Sequence, residues 1–365
     1  MIADQRITST DSPNFLRLCQ SLRDAGDSNE RDWPAAKLRA CADAGVFEWF
    51  VSQENGGQGW SGEEIIQGYL GLGAACLTTT FALTQLTGAV RRIANSGNEA
   101  LISRLIPDLL AGRFFATLGI SHLTTSRQHL KEPALRAEVR GETAEGFLLN
   151  GYSPWATGAE HADYVVTGAT LEDGQQLLAA VATDLPGVKI PAAPRLLSLS
   201  GSCTGAVNFE NVEIDFACLL AGPVENVMKS GVGARTGGLQ TSTLALGLST
   251  AAIEFVENES HRRLELKDAA EQLRIELEEA KVILLRLASG EDTDLAPNLS
   301  PGDLRAKANS LVLRATQSAL VAAKGAGFVD GHPAGRWCRE ALFFLVWSCP
   351  QPVIAANLCE FAGIE

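Results

Sequence analysis

Cys203 lies at the centre of Gly201-Ser202-Cys203-Thr204-Gly205, a Gly-x-Cys-x-Gly spacing that is the shape of a hydrolase's nucleophile turn. Flanking glycines let such a turn bend sharply enough to expose its nucleophile, and the turn must lead from a strand into a helix. The segment that follows, Ala206 to Ile214, alternates like a strand, so a nucleophilic role for Cys203 is not expected. Gly231-Val232-Gly233 and Gly325-Ala326-Gly327 lack the third glycine of a dinucleotide-binding turn, and no βαβ pattern surrounds either, so neither supports NAD. The eight cysteines form no Cys-x-x-Cys pair and mostly sit in apolar runs, which is the pattern of reduced, buried thiols in a cytoplasmic protein. His122 and His129 are not spaced as a zinc pair, and no His-Glu-x-x-His is present, so no metal is expected.

Charge and composition narrow the partners. The chain of 365 residues is 46% hydrophobic and 20% charged, a globular composition with room for two or three domains. The net charge is −13, and no basic run is longer than Arg91-Arg92 or Arg262-Arg263. A phosphate-backbone partner needs a concentrated basic face, so nucleic acid is not expected. The first residues carry no apolar signal segment, and the long uncharged stretch from Thr236 to Ile253 is rich in Gly, Ser and Thr and contains Gln240. It reads as a buried helix, and no membrane partner is expected.

Three regions follow from periodicity. Residues 1–112 read as helical: Phe15, Leu18, Cys19 and Leu22 share a helix face, and Asp32-Trp33-Pro34 opens a second helix. Ser61 to Glu64 caps a third, and further helices run from Thr80 to Asn95 and from Glu99 to Leu110. Residues 113–223 change to a period of two, in Leu135–Arg140, around Tyr164-Val165-Val166, from Leu178 to Val181 and in Ala206–Ile214. Gly and Pro-Gly signals separate these runs, which reads as an antiparallel β-barrel or sandwich. Residues 224–365 return to helix. Apolar positions 266, 270, 273, 277, 280, 284 and 287 form a seam of a four-helix bundle, with Lys267–Glu271 and Arg274–Glu278 paired on the wet side.

Helices, a β domain and a helical bundle, in that order, carry five spaced motifs. Ser52-Gln53-Glu54-Asn55-Gly56-Gly57-Gln58-Gly59 matches a Pro-Glu-x-x-Gly-Gly-x-Gly turn, and Ile106 to Gly112 matches Leu-Pro-x-Leu-x-x-Gly. Asn150-Gly151 with Trp155-Ala156-Thr157 and Ala162-Asp163 matches Asn-Gly-x-Lys-x-Trp-Ile-Thr-Asn-x-x-x-Ala-Asp. Phe209 to Val212 matches Phe-x-x-Val, and Pro333 to Ala341 matches Pro-x-x-Arg-x-x-Arg-Asp-Ala. Over nearly its whole length the chain resembles the acyl-CoA dehydrogenases.

The resemblance implies an α+β fold with an N-terminal helical domain, a central β domain and a C-terminal four-helix bundle. It also implies an FAD whose ring lies between the β domain and the bundle. Trp155 and Thr157 are then an apolar lid over the ring and a hydrogen-bond donor near N5, where hydride arrives. Their two-residue spacing on a strand puts them on one face. Ser121 would keep a hydroxyl at the flavin strand, where Gly119 to Arg127 replaces Leu-Thr-Glu-Pro-x-x-Gly-Ser-Asp. Lys324-Gly325 stands where two glycines approach the partner subunit's FAD, with Val321 in place of a Gln. Arg263 is the remaining counterpart of an Arg-x-x-Phe-Gly loop that clamps the neighbour's pyrophosphate.

The family removes an α-proton with a Glu while flavin takes the β-hydride. The position of that Glu here is Ser348; the alternative position, about Gly237-Gly238, holds no carboxylate, and Arg235 precedes it. A serine hydroxyl does not act as a base near neutral pH without an activator. The resemblance therefore implies an FAD-dependent oxidoreductase acting on an acyl thioester or related acyl substrate, with the usual base missing. A reduced-flavin monooxygenase of the same fold, with His161 as its site residue, and a non-catalytic homologue are the alternatives. Phe343-Phe344-Leu345-Val346-Trp347 is more apolar surface than a one-sided helix hides, and a homodimer or homotetramer is expected.

Overall fold

The computed structural model describes residues 6–24, 31–124, 132–141, 145–229, 239–290 and 300–364. Gly231-Val232-Gly233, Arg235, Gly237-Gly238, the run Thr125 to Arg127 and His129 lie outside them.

Five helices come first: α1 (Pro13–Asp24), α2 (Ala35–Asp43), α3 (Gly62–Ala75), α4 (Leu77–Ala94) and α5 (Glu99–Leu110). α1 buries Phe15, Leu18, Cys19 and Leu22, the face its spacing predicts. At the start of α3, Ser61 accepts from the Glu64 amide and Glu64 accepts from the Ser61 amide, a reciprocal cap. α2 differs from expectation. Pro34 holds its N-cap position, and no side chain caps that end. α4 begins earlier than its sequence suggests and buries 14 of its 18 residues, among them Thr79, Thr80, Thr84 and Thr87. Their hydroxyls turn back onto the helix, as with Thr80 Oγ1 to the Cys76 carbonyl at 2.8 Å, which is how a Thr-rich helix sits in a core.

The middle region contains β1 (Ala116–Gly119), the single turn α6 (Ser121–Thr124), β2 (Leu135–Arg140), β3 (Gly146–Ala156), β4 (Tyr164–Thr170), β5 (Gln176–Ala182), β6 (Val188–Lys189), β7 (Gly205–Asp215) and β8 (Leu219–Val224). They form one open sheet in the order β6-β7-β3-β2-β4-β5-β8, with β1 beside β4. The expected antiparallel pairing holds for β2–β3, β3–β7, β4–β5, β5–β8 and β6–β7. It fails where β1 runs parallel to β4 and β2 meets β4 at Arg136–Thr170. The sheet is therefore mixed and unclosed, because β1 and β2 take successive stretches of the same edge of β4. Leu135, Phe147, Leu149, Val165, Val207, Phe209 and Ile214 fill a core within this region.

The last region holds α7 (Gln240–Ser260), α8 (Lys267–Ser289), α9 (Pro301–Ala323), α10 (Pro333–Ala341) and α11 (Gln351–Ala362). α7 is buried from Thr241 to Ser249, as its uncharged sequence requires. α8 buries Ala270, Leu273, Leu277, Ala280 and Leu284 along the predicted seam. Arg274 does more than pair along its own helix: it forks onto Glu257 of α7 at 2.6 and 2.8 Å. Lys267 and Glu271 form no ion pair with each other or with another described residue. A second, larger core joins both helical regions to the inner face of the sheet, through residues such as Leu72, Leu86, Val166, Leu248, Leu277 and Phe344.

The apolar run Phe343 to Trp347 departs from its expected role. It winds into a 3-10 turn, burying Phe344 fully, while Phe343 and Trp347 meet Phe81 edge-on at 4.8 and 5.0 Å. A three-residue turn points successive side chains in several directions, so the run packs into its own chain and leaves mainly Val346 exposed.

Candidate functional site

A cavity of about 710 Å³ lies where the three regions meet. α4 gives it Phe81, Thr84, Gly88, Arg91 and Arg92; β1 and the turn after it give Leu118, Ile120 and Ser121. Trp155 and Thr157 come from the end of β3, Gln240 and Thr241 from α7, and Phe343, Trp347 and Ser348 from the loop before α11. Gly88 lets α4 approach β1: a methyl group there would meet the Leu118 side chain at 2.5 Å.

Sequence alone names four residues that the fold gathers on this cavity: Ser121, Trp155, Thr157 and Ser348. Trp155 is half exposed, at 48%, although every other tryptophan is at least partly packed in a core. Thr157 is buried, and its Oγ1 stands 3.0 Å from Thr204 Oγ1, which in turn is 2.8 Å from Ser202 Oγ. Thr117 Oγ1 holds the Thr157 carbonyl at 2.6 Å. Ser121 has a buried hydroxyl with no hydrogen-bond partner among the described residues. Ser348 adopts a left-handed backbone, φ 49°. Its loop is tied down by Arg305, whose Nη2 donates to the carbonyls of Phe344 and Trp347 at 3.0 and 2.9 Å.

Arg263, Lys324 and Gly325 do not line this cavity. The Arg263 Nη1 donates to the Ala322 carbonyl at 2.6 Å, and its Nε faces Glu265 at 3.2 Å. It thus satisfies a free carbonyl at the end of α9. Lys324 follows with φ 54° and ψ −145°, a region that glycine enters freely and a side chain does not. Around them Leu264, Val321, Phe328 and Val329 are all more than 60% exposed.

His161 is exposed and stacks on Trp33, ring centres 4.9 Å apart, away from the cavity lining. Cys203 sits in a turn after Ser200–Ser202 and before β7, so no strand-to-helix elbow forms. Burial, then the charges of Glu160 and Asp32, push its thiol pKa up, opposing the thiolate a nucleophile needs. All eight cysteines are unpaired thiols. Among the described residues, no cluster could hold a metal ion, and no helix is long and apolar enough to cross a membrane.

Sequence reading passed over the cavity's charge. Arg91, Arg92 and Arg339 line it, and no carboxylate or imidazole does among the described residues. Arg92 is buried, with its pKa lowered to about 10 by burial and then by Arg91. Tyr69, also on the cavity, stands 2.6 Å from Thr87 Oγ1, and burial raises its phenol pKa far above the usual value. A signal was present: Arg91 and Arg92 are the only charges in α4, a sequence otherwise fit for a core.

Residues 19–113 match the family model described as acyl-CoA dehydrogenase, N-terminal domain. An acyl-CoA dehydrogenase of Bacillus subtilis (strain 168) is 23% identical over 337 residues, 84% of this chain and 87% of the relative. A glutaryl-coenzyme A dehydrogenase in complex with glutaryl-CoA superposes with a TM-score of 0.79 at 18% identity, covering 97% of this chain and 96% of that one. A glutaryl-CoA dehydrogenase from Mycobacterium smegmatis in complex with FADH2 gives 0.77 at 17%, covering 96% and 95%. The N-terminal region is thus similar in sequence to the acyl-CoA dehydrogenase N-terminal domain, and the chain has the fold of the acyl-CoA dehydrogenases along nearly its whole length.

Proposed function

We propose that the protein is an FAD-dependent oxidoreductase acting on an acyl thioester or a related acyl group. The observation that carries this reading is the convergence of Ser121, Trp155 and Thr157 on one cavity. Their chemistry fits a flavin ring. Trp155 offers a half-exposed aromatic face, the Ser121 hydroxyl is buried with no hydrogen-bond partner among the described residues, and Thr157 offers a hydroxyl backed by Thr204 and Ser202. The relative with FADH2 in its complex shares this fold. When bound, the flavin supplies a two-electron acceptor for hydride from the substrate.

The protein's own residues do the rest. Phe81, Phe343 and Trp347 exclude water from the acyl group, and Arg305 fixes the loop that carries Ser348. Thr157 and Ser121 would hold the ring through their hydroxyls. With no carboxylate or imidazole on the described lining, Ser348 is a binding hydroxyl and not a base. The α-proton would then pass to solvent at the cavity mouth, which favours substrates with an already acidic α-position over simple saturated acyl chains. His161, the site residue of the monooxygenase alternative, is stacked on Trp33 and is absent from the described cavity lining, which favours the dehydrogenase reading. Assembly as a homodimer or homotetramer is supported by the exposed Leu264, Val321, Phe328 and Val329 beside Lys324, not by the Phe343 to Trp347 run.

The test is the visible spectrum of the purified protein with FAD, under nitrogen. Acyl-CoA should bleach the bound flavin. A flavin that stays oxidised with every acyl-CoA, and is reduced only by an added reductase with oxygen uptake afterwards, would overturn the reading.

A further inference from the structure

Lys37 and Cys41 stand one turn apart on α2, so both present to the same neighbour, and that neighbour is Cys76. Cys76 joins α3 to α4 and holds the N-cap position of α4. Its Sγ receives a hydrogen bond from Lys37 Nζ at 3.6 Å and lies 3.2 Å from Thr79 Oγ1. We propose that Lys37 and Cys76 are an oxidation-sensitive pair, which hydrogen peroxide joins by a covalent bond between the lysine nitrogen and the cysteine sulfur.

The surroundings suit that chemistry. A cationic nitrogen and the amides of a helix N-terminus are what oxidation-prone cysteines have beside them. Cys76 is 8% exposed and Lys37 is half-buried, so the contact lies just beneath the surface, within reach of a molecule as small as peroxide. Two nucleophiles on α2 could capture an oxidised Cys76. The Cys41 thiol is fully buried, and burial, then the charges of Cys76 and Cys19, push its pKa up, which keeps it protonated and a poor nucleophile. Lys37 is already in contact, and its flexible four-carbon arm can close to bonding distance while both helices stay in place.

The reaction balances in two steps. The Cys76 sulfur takes one oxygen from peroxide; the O–O bond breaks, a sulfenic acid forms, and the other oxygen leaves as water. Sulfur is oxidised by two electrons and peroxide is reduced. The neutral Lys37 amine then attacks that sulfur: the S–N bond forms, the S–O bond breaks, and the hydroxyl leaves with an amine proton as a second water. Thiol reductants reverse the bond by attacking the sulfur and returning the amine. Neither residue lines the cavity, but α4 carries Phe81, Thr84 and Gly88 to its wall, so the bridge ties that wall to α2.

The test treats the full-length protein with hydrogen peroxide, blocks remaining thiols with N-ethylmaleimide and maps the tryptic peptides by mass. The peptide holding Lys37 should be joined to the one holding Cys76, lighter by two hydrogens than their sum, and the link should vanish with dithiothreitol. Lys37→Arg should abolish the link and leave a sulfenic acid at Cys76 that dimedone labels; Cys41→Ala should leave the link intact. The same treatment in urea should not form it, because the contact belongs to the fold. No link in the folded wild type while the exposed Cys359 is oxidised would overturn the proposal. So would a disulfide between Cys76 and Cys41, a link that forms as readily in urea, or dimedone labelling of Cys76 that is equal in the wild type and Lys37→Arg.

Discussion

Arg305 donates to the carbonyl of Trp347 at 2.9 Å, one residue before Ser348. The same nitrogen reaches the Phe344 carbonyl at 3.0 Å and Cys349 Sγ at 3.5 Å. A buried cation thus organises the loop that carries Ser348 to the cavity, and burial lowers its own pKa. Arg305→Met strands two buried carbonyls and should cost about 2–4 kcal/mol of stability. Urea unfolding checks this; a cost below about 1 kcal/mol would show that the loop holds itself.

Lys324 and Ser348 both have positive φ, at 54° and 49°. A non-glycine residue there costs about 1–2 kcal/mol. Lys324→Gly and Ser348→Gly should each raise stability by up to about 1 kcal/mol, the remainder being offset by the freer unfolded chain. Thermal unfolding reads the sign directly. At Lys324 the gain should be the larger, because its ψ of −145° is also unfavourable.

Much of this architecture is visible in the sequence. α5 has the bounds its pattern gives, the Ser61 cap forms, and the α8 seam buries the expected positions. These signals are local: each is a spacing or a cap within one element. What escaped was non-local. β1 is four residues long and shows no alternation, and its parallel partner β4 lies more than forty residues away. The Phe343 to Trp347 run reads as an outer helix face only if it is an α-helix, and the 3-10 winding removes that premise. Trp155, Thr157 and Ser121 are named by the sequence and meet on one cavity, whereas Arg91 and Arg92 stand in the sequence only as a short basic run, and it is the burial of α4 on nearly all sides that brings them to the cavity wall.

His122 offers a test by pH. A ring nitrogen, Nε2, bonds the Gly168 carbonyl at 2.7 Å, and the buried Nδ1 has no partner among the described residues. Desolvation outweighs that bond and holds the pKa below the ordinary 6.5. The unfolded chain therefore takes up the proton first. Stability is full above about pH 6.5 and falls as pH drops through that value toward the folded pKa. His122→Gln should flatten this part of the curve; an unchanged slope between about pH 5 and 6.5 would assign the effect elsewhere.

Trp155→Ala and Thr157→Val separate retention from reactivity. Trp155 is 48% exposed, so its loss should cost the apo protein little stability while removing about 100 Å² of surface on which a ring could stack. At about 25 cal/mol per Å² that is roughly 2.5 kcal/mol of flavin affinity, about seventyfold. Thr157→Val deletes a hydroxyl worth about 1 kcal/mol and should mainly slow flavin reduction. Glu63→Gln, on the first turn of α3 and not on the cavity lining, is the control.

The most direct measurement is FAD retention by the wild-type protein, incubated with excess FAD, desalted and scanned. About one flavin per chain, with a visible band shifted from that of free FAD, is the expected result, and Trp155→Ala should retain far less. A wild type that emerges colourless, or a Trp155→Ala variant that holds flavin as firmly as Glu63→Gln while both are folded by circular dichroism, would contradict a flavin ring against Trp155.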